Sequence, residues 1–222
     1  RGGAIFISSP TGRNWFYDMY QYAQSGEDPD WESWQFTTLQ GGNVPPDEIE
    51  SAKRDLDART FEQEYEAQFV TYSGLVYYGF DFQENVIECP YDPELPVLIG
   101  MDFNIDPMTA TVFQYDEDME VLYIVDEIEI YGSNTDEMAE EILCRYPEQS
   151  ITVYPDPACV QTRTSAGGRT DLSILQSYGF KCKFKRKHPF VRDRINAVNS
   201  RFCSAEGDRR LFVHKGCKKV IQ

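Results

Sequence analysis

Val97-Leu-Ile-Gly-Met-Asp-Phe-Asn-Ile-Asp106 is the stretch on which the reading of this chain turns. Its apolar run, residues 97–101, has the length and composition of a buried strand, and it drives to a single carboxylate, Asp102. An acid at the tip of a buried strand is costly unless something pairs with it. The usual partner in such a place is a metal ion. Pro107 then breaks the pattern, and a second apolar strand begins at Thr109.

Working downstream, residues 109–115 read as the second strand and Asp116-Glu-Asp118 as a hairpin turn. Residues 121–130 form the third strand, with Leu122, Ile124, Asp126 and Ile128 expected on one face. Loops this short make an antiparallel meander. Asn134 or Thr135 caps a helix through Arg145. Residues 150–154 are a fourth strand, which its helical crossover makes parallel to an earlier one. Thr170 or Asp171 caps a helix ending at Gly179, and residues 180–185 are a fifth strand. Val191, Ile195, Val198 and Phe202 mark a further helix, and residues 211–214 a last strand. An antiparallel meander followed by parallel strands alternating with helices is the ribonuclease-H-like order. Residues 96–222 are therefore expected to be one α/β domain with a mixed sheet flanked by helices.

Upstream, residues 4–7 read as a short buried strand and Ser8-Ser-Pro-Thr-Gly12 as a hydroxyl-rich turn. Asn14 caps an aromatic helix. This is a common phosphate-side geometry and equally an ordinary turn between strand and helix. The phosphate-loop pattern G-x-x-x-x-G-K-[ST] does not occur in the chain. Residues 34–38 alternate like a strand, residues 47–58 and 60–69 read as helices, and residues 88–96, with three prolines, as a linker. The expected division is 1–25, 26–95 and 96–222.

The fourth strand runs into Pro155-Asp156-Pro157. Asp156 thus sits just past a buried strand's C-terminal end, as Asp102 does. If the two strands are parallel neighbours, the tips lie roughly 5 Å apart. Two carboxylates there repel, and a divalent cation removes the repulsion. Oxygen-rich sites of this kind suit Mg²⁺ or Mn²⁺, and two such ions serve phosphodiester hydrolysis. The alternative is that both are turn residues, since Asp is common before Pro. Asp193, early on the last long helix, is a weaker third candidate, because an acid there is also a routine dipole partner. Glu127 alternates away from its apolar neighbours.

Charge is unevenly spread. Six Lys and Arg face 32 Asp and Glu up to Ser150, giving −26, whereas fifteen face five beyond it, giving +10. Lys181, Lys183, Lys185 and Lys187 are expected on one side of a strand, with Arg163, Arg169, Arg192 and Arg194 nearby and a glycine-rich loop at 164–169. That is a surface for a polyanion such as DNA. The other reading is a solvated edge strand guarding against aggregation. The six cysteines have neither zinc nor disulfide-scaffold spacing. They fit a reducing setting, with Cys144 and Cys203 expected in the core. No apolar run approaches the roughly 20 residues that span a bilayer. The chain opens on Arg-Gly-Gly without an initiator Met and ends in a helical pattern, so a piece of a longer protein is expected.

The ordered set of these motifs resembles the large subunit of tailed-phage terminases. Ala4-Ile-Phe-Ile-Ser-Ser-Pro-Thr-Gly-Arg-Asn-Trp-Phe-Tyr17 is similar to that family's ATPase coupling motif and following helix. Phe61-Glu-Gln-Glu-Tyr-Glu-Ala-Gln-Phe69 with Gly74 resembles the segment leaving the motor domain. Ile99-Gly-Met-Asp-Phe103 and Val153-Tyr-Pro-Asp-Pro157 resemble the nuclease strands bearing two metal-binding acids. Val191-Arg-Asp-Arg-Ile-Asn-Ala-Val-Asn199 resembles the helix after the basic strand. The resemblance implies a metal-dependent DNA endonuclease of a packaging motor, on a ribonuclease-H-like fold behind the end of a P-loop-type ATPase. Ser8, Ser9 and Thr11 would couple nucleotide state to motion, with ATP used only by the full-length protein. It further implies duplex DNA, a portal protein and a small terminase subunit as partners in the host cytoplasm, and a third acid beyond Gln222. A resolvase- or transposase-type nuclease and a non-catalytic DNA-binding or portal-docking module are the alternatives.

Overall fold

The computed structural model describes residues 3–71, 74–104, 106–147, 149–160, 169–185, 187 and 189–221. Arg163 and loop residues 164–168 lie outside the described residues. In chain order the helices are α1 (Trp15–Ser25), α2 (Thr38–Gly41), α3 (Pro46–Asp55), α4 (Ala58–Glu64), α5 (Phe82–Asn85), α6 (Thr135–Arg145), α7 (Asp171–Ser177), α8 (Val191–Phe202) and α9 (Lys218–Ile221). The strands are β1 (Val86–Ile87), β2 (Val97–Asp102), β3 (Met108–Asp116), β4 (Val121–Ile130), β5 (Ile151–Pro155), β6 (Lys181–Cys182) and β7 (Leu211–His214). The chain divides into two compact units, residues 1–80 with 192–209, and residues 81–191 with 210–222.

The first unit is helical. Asn14 caps α1 by accepting from the Phe16 and Tyr17 amides. Phe69 packs among Phe16, Tyr17 and Tyr20 of α1. This explains why the helix expected over 60–69 stops at Glu64. Ala67 takes a left-handed φ of 55°, and the turn delivers Phe69 to the α1 aromatics instead of continuing the helix. Buried Asp57 caps α4 through the Thr60 amide and also accepts from the Tyr78 hydroxyl. Buried Asn199 of α8 donates to the Val76 carbonyl and accepts from the Gly79 amide. A Cβ at Gly79 would come within 2.8 Å of the Asn199 carbonyl oxygen, so only glycine fits there.

Two expected strands of this unit do not form. Residues 4–7 carry no ladder, and Ile5 and Ile7 are 86% and 91% exposed. Residues 34–37 are likewise unpaired, with Trp34 and Phe36 exposed, and Thr38 opens α2. A strand exists only by pairing its backbone. Among the described residues of this unit the β pairing is the single bridge between Asp57 and Ser204.

The second unit is built on a sheet of seven strands among the described residues, in the order β1-β7-β4-β3-β2-β5-β6. β2, β3 and β4 form the expected antiparallel meander, and β5 runs parallel to β2. Within it β4-β3-β2-β5-β6 is the ribonuclease-H-like sequence of neighbours. Met138, Ala139 and Ile142 of α6 pack with Val97, Ile99, Met101, Val112 and Val153 in the core. Thr135 at the start of α6 donates to Asp171 at the start of α7, 2.6 Å away, joining the two helix N-termini.

Three details depart from expectation. In the β3–β4 ladder Val112 faces Asp126 while Phe113 faces Ile124, so Val125 is an extra, bulged residue. Ile124 and Asp126 therefore point to opposite faces rather than sharing one. β6 stops at Cys182 instead of running to 185. The Lys183 amide still donates to the Val153 carbonyl, but the next donor on β5 would be Pro155, which has no N–H. Cys144 is exposed rather than in the core, because it lies two residues past buried Ile142 on the outer side of α6.

Residues 88–96 are not a free linker. Buried Gln114 of β3 accepts from the Asp92 amide at 2.8 Å and donates to the Asp92 and Leu95 carbonyls at 2.6 and 3.1 Å. Gln114→Leu removes all three bonds and leaves those groups wanting partners. Unfolding free energy, measured by urea titration, should fall by about 2–3 kcal/mol.

All six cysteines are unpaired thiols. Burial pushes Cys89 and Cys159 up to about 11 and Cys217 up to about 12, so they stay protonated at neutral pH. With a thiol reagent at pH 8, Cys144 should react rapidly, and these three only on unfolding.

Candidate metal centre

β2 and β5 pair in parallel from Val97 with Ile151 to Met101 with Pro155. Asp102 and Asp156 stand one step beyond that last pair, and the Asp156 amide donates to the Met101 carbonyl at 3.3 Å. In-register neighbours on parallel strands point to the same face, so both acids share the face carrying Gly100 and Tyr154. Their backbones are roughly 5 Å apart at that spacing. The opposite face is the one that α6 covers.

Each acid is held by a short local bond. Asn104 donates its Nδ2 to Asp102 Oδ2 at 2.8 Å. The Ala158 amide, in the 3-10 turn Pro157–Val160, donates to Asp156 Oδ1 at 2.7 Å. Asp102 is exposed and Asp156 half-buried. The pair offers hard oxygen donors on an accessible strand end. Mg²⁺ is commonly held by one or two carboxylates, with water and substrate phosphate filling its octahedron, so this donor set fits such an ion. Among the described residues no group of three His, Cys, Asp or Glu side chains could hold a metal by itself.

The sheet register extends this face. Asp102 pairs with Thr109, and Thr109 with Glu129. Glu127 lies two residues earlier on the same side. Glu127 accepts the Lys219 and Val220 amides at 2.9–3.0 Å and so holds the start of α9. Glu129 accepts from the Tyr131 hydroxyl at 2.7 Å and pairs with the Lys219 ammonium at 3.5 Å. Those two contacts, Tyr131 first, hold its carboxyl below the usual range. The sequence reading passed over Asn104, Glu129 and Lys219. Glu127-Ile-Glu129 alternation was the visible signal for one of them, but only the ladder shows which strand tip it shares.

The other expected residues are distributed as follows. Lys181, Lys183 and Lys185 are exposed while Cys182 and Phe184 are half-buried against the core, so the alternation survives where the ladder has ended. Lys187 is exposed too. The Lys181 ammonium donates to Ser150 Oγ at 3.3 Å, and Arg169 pairs with Asp136 at 3.3 Å. Arg192, Asp193 and Arg194 are exposed in the first turn of α8. The latter three belong to the first unit, whereas Asp102 and Asp156 belong to the second. Ser8, Ser9 and Thr11 are exposed in the first unit, where Ser8 and Thr11 hydroxyls donate to the Ser9 carbonyl at 3.0 and 3.5 Å.

Comparison with known proteins adds to this geometry. No protein-family model matches the chain. The terminase large subunit of Escherichia phage T5 is 29% identical over 171 residues, covering 72% of this chain and 39% of its own length. The resemblance to the large subunit of phage terminases holds in sequence as well as in fold. The large terminase of a thermophilic bacteriophage, solved with ATP-γ-S, superposes with a TM-score of 0.66 at 18% identity, over 96% of this chain and 52% of that one. The nuclease domain of the P22 large terminase superposes at 0.52 with 15% identity, over 67% of this chain and 76% of that domain. The chain thus spans about half the length of the thermophilic phage protein and less of the T5 one. The second unit has the ribonuclease-H-like fold of terminase nuclease domains.

Like charges at neighbouring strand positions destabilise by up to about 1 kcal/mol. Asp102→Asn should therefore raise the melting temperature in metal-free buffer by about 1–3 °C. It should also abolish any further rise on adding Mn²⁺. A fall in metal-free melting temperature would show that the two carboxylates are not in conflict.

Proposed function

We propose that this chain is the nuclease portion of a phage DNA-packaging motor, a metal-dependent endonuclease that cuts concatemeric duplex DNA. The observation that supports the reading is the parallel register of β2 and β5, which ends with Met101 opposite Pro155, one residue before Asp102 and Asp156. The likeness to the T5 terminase large subunit supports it. Asp102 and Asp156 hold one or two Mg²⁺ or Mn²⁺ ions, with Asn104 and the Ala158 amide fixing their orientation. When bound, the metal supplies charge stabilisation at the phosphate and an activated water. Lys181, Lys183, Lys185 and Lys187 hold the DNA backbone, and Arg169, Arg192 and Arg194 are assigned to the same task. Asp193 is not needed, since an acid in a helix's first turn is an ordinary dipole partner.

In this reading residues 1–25 are the end of an ATPase core, 26–95 a connecting segment and 96–222 the nuclease. Ser8, Ser9 and Thr11 serve nucleotide coupling in the whole protein, for which the ATP-γ-S complex of the thermophilic phage terminase is the supporting parallel. Partners are duplex DNA, a portal protein and a small terminase subunit, in the host cytoplasm. Fold likeness to a large terminase over 96% of the chain disfavours a resolvase or transposase. A second reading, a non-catalytic DNA-binding or docking module, draws on the lack of a three-ligand group among the described residues.

Plasmid nicking in Mn²⁺ separates the two. Asp102→Ala and Asp156→Ala should each lower cutting by roughly 100-fold or more, given that even outer partners of a metal ligand cost 10–100-fold. Titration calorimetry should show Mn²⁺ binding that disappears in Asp156→Ala. Undiminished cutting in either variant, or no metal binding by the parent chain, would sink the nuclease assignment.

A further inference from the structure

The acid-bearing face has a problem of charge. Asp102, Asp156, Glu127 and Glu129 stand on it or at its end, and a DNA backbone approaching them would be repelled. Among the described residues, Lys219 is a cation held at this face by Glu127 and Glu129. Its amide is fixed by Glu127, so the root of the side chain is anchored to β4. Its ammonium lies 3.5 Å from Glu129 Oε2, a loose single contact, and the side chain is 62% exposed against 25% for Glu129. The other Glu129 oxygen is already engaged by Tyr131 at 2.7 Å. Lys219 can therefore leave Glu129 without stripping that carboxylate of its remaining partner. Glu129 sits in the row of Asp102, two strands away. That is roughly 10 Å at the usual strand spacing, or about three nucleotide rises along one DNA strand.

We propose that Lys219 is a phosphate-binding residue of the nuclease site, held by Glu129 in the free protein and transferred to a DNA backbone phosphate near the one that the Asp102–Asp156 pair engages. The inference rests on the nuclease reading of the same face. Glu129 then acts as a holder that keeps the ammonium aimed along the acid row until a stronger anion displaces it.

The test is binding of the 222-residue chain to a duplex of about 20 base pairs, long enough to cover a nuclease site, in EDTA, followed by fluorescence anisotropy across a series of KCl concentrations. Each protein cation that meets a phosphate contributes about 0.9 to the slope of log K against log salt. Lys219→Gln should weaken binding to all sequences alike and reduce the slope by about 0.9. Glu129→Gln should have the opposite effect and tighten binding, because it frees the ammonium. Lys181→Gln, on the basic edge, serves as the reference. If Lys181→Gln lowers the slope while Lys219→Gln leaves it unchanged, the proposal fails and the nuclease reading stands. Weakening in both Lys219→Gln and Glu129→Gln would mean that the ion pair is merely structural, and would also overturn it. If the parent chain does not bind the duplex, both fall.

Discussion

The parallel ladder between β2 and β5 is the constraint on which the rest of this molecule depends. Five paired residues on each strand hold two chain segments, more than fifty residues apart, in fixed register. Core side chains on one face, Val97, Ile99, Met101 and Val153 against α6, lock that register, since a slip of one residue would turn every apolar side chain outward. The acids at the two tips inherit this precision without contributing to it. The ladder that the hydrophobic core holds in register is what brings their backbones together.

Charge is organised around the same sheet in layers. On the face that α6 covers, Asp126 is answered by Arg145 at 2.8 Å and the Tyr146 hydroxyl at 2.8 Å. The accessible face gathers carboxylates at one end of the strands. Lysines line the opposite margin beyond β5, where β6 and the residues after it keep alternating polar and apolar side chains. An acidic centre beside a basic margin is the arrangement expected where a polyanion must be held by one group of residues and met by metal-binding acids at another.

How much of this was legible in the sequence varied with the kind of signal. The second unit's strands read well because periodicity and turn residues agreed. The start of β4 followed from the Asp116-Glu-Asp118 turn, and of the two expected caps of α6, Asn134 or Thr135, it is Asn134 that caps. The pairing of β2 with β5 followed from one crossover. The first unit read poorly because its short apolar runs find no sheet among the described residues, and aromatic packing overrides local periodicity, as where Phe69 leaves the helix for α1. The basic edge was shortened by Pro155, a backbone effect that no count of lysines reveals. At the site, the two acids were legible from strand ends, whereas Asn104 and Lys219 were not. Asn104 acts through its bond to Asp102 and Lys219 through its contacts with Glu127 and Glu129 on a distant strand, and only the folded chain shows either.

The bulge at Val125 has a consequence for how this strand tolerates change. On its N-terminal side β4 buries Ile124 on the side of the sheet opposite α6, and on its C-terminal side it presents Glu127 and Glu129 on that side while turning Asp126 to Arg145. One supernumerary residue thus acts as a phase shifter. It lets a single strand serve two chemically different surfaces, apolar then acidic on one side, without any change in the alternation of its sequence. Deleting Val125 would leave Val112 facing Asp126 and Phe113 facing Ile124 and so keep both surfaces, whereas flattening the bulge with Val125 retained would exchange them on one side of it. The fold is consequently tolerant of losing a residue at this point, and intolerant of the same ten residues laid in an unbroken register.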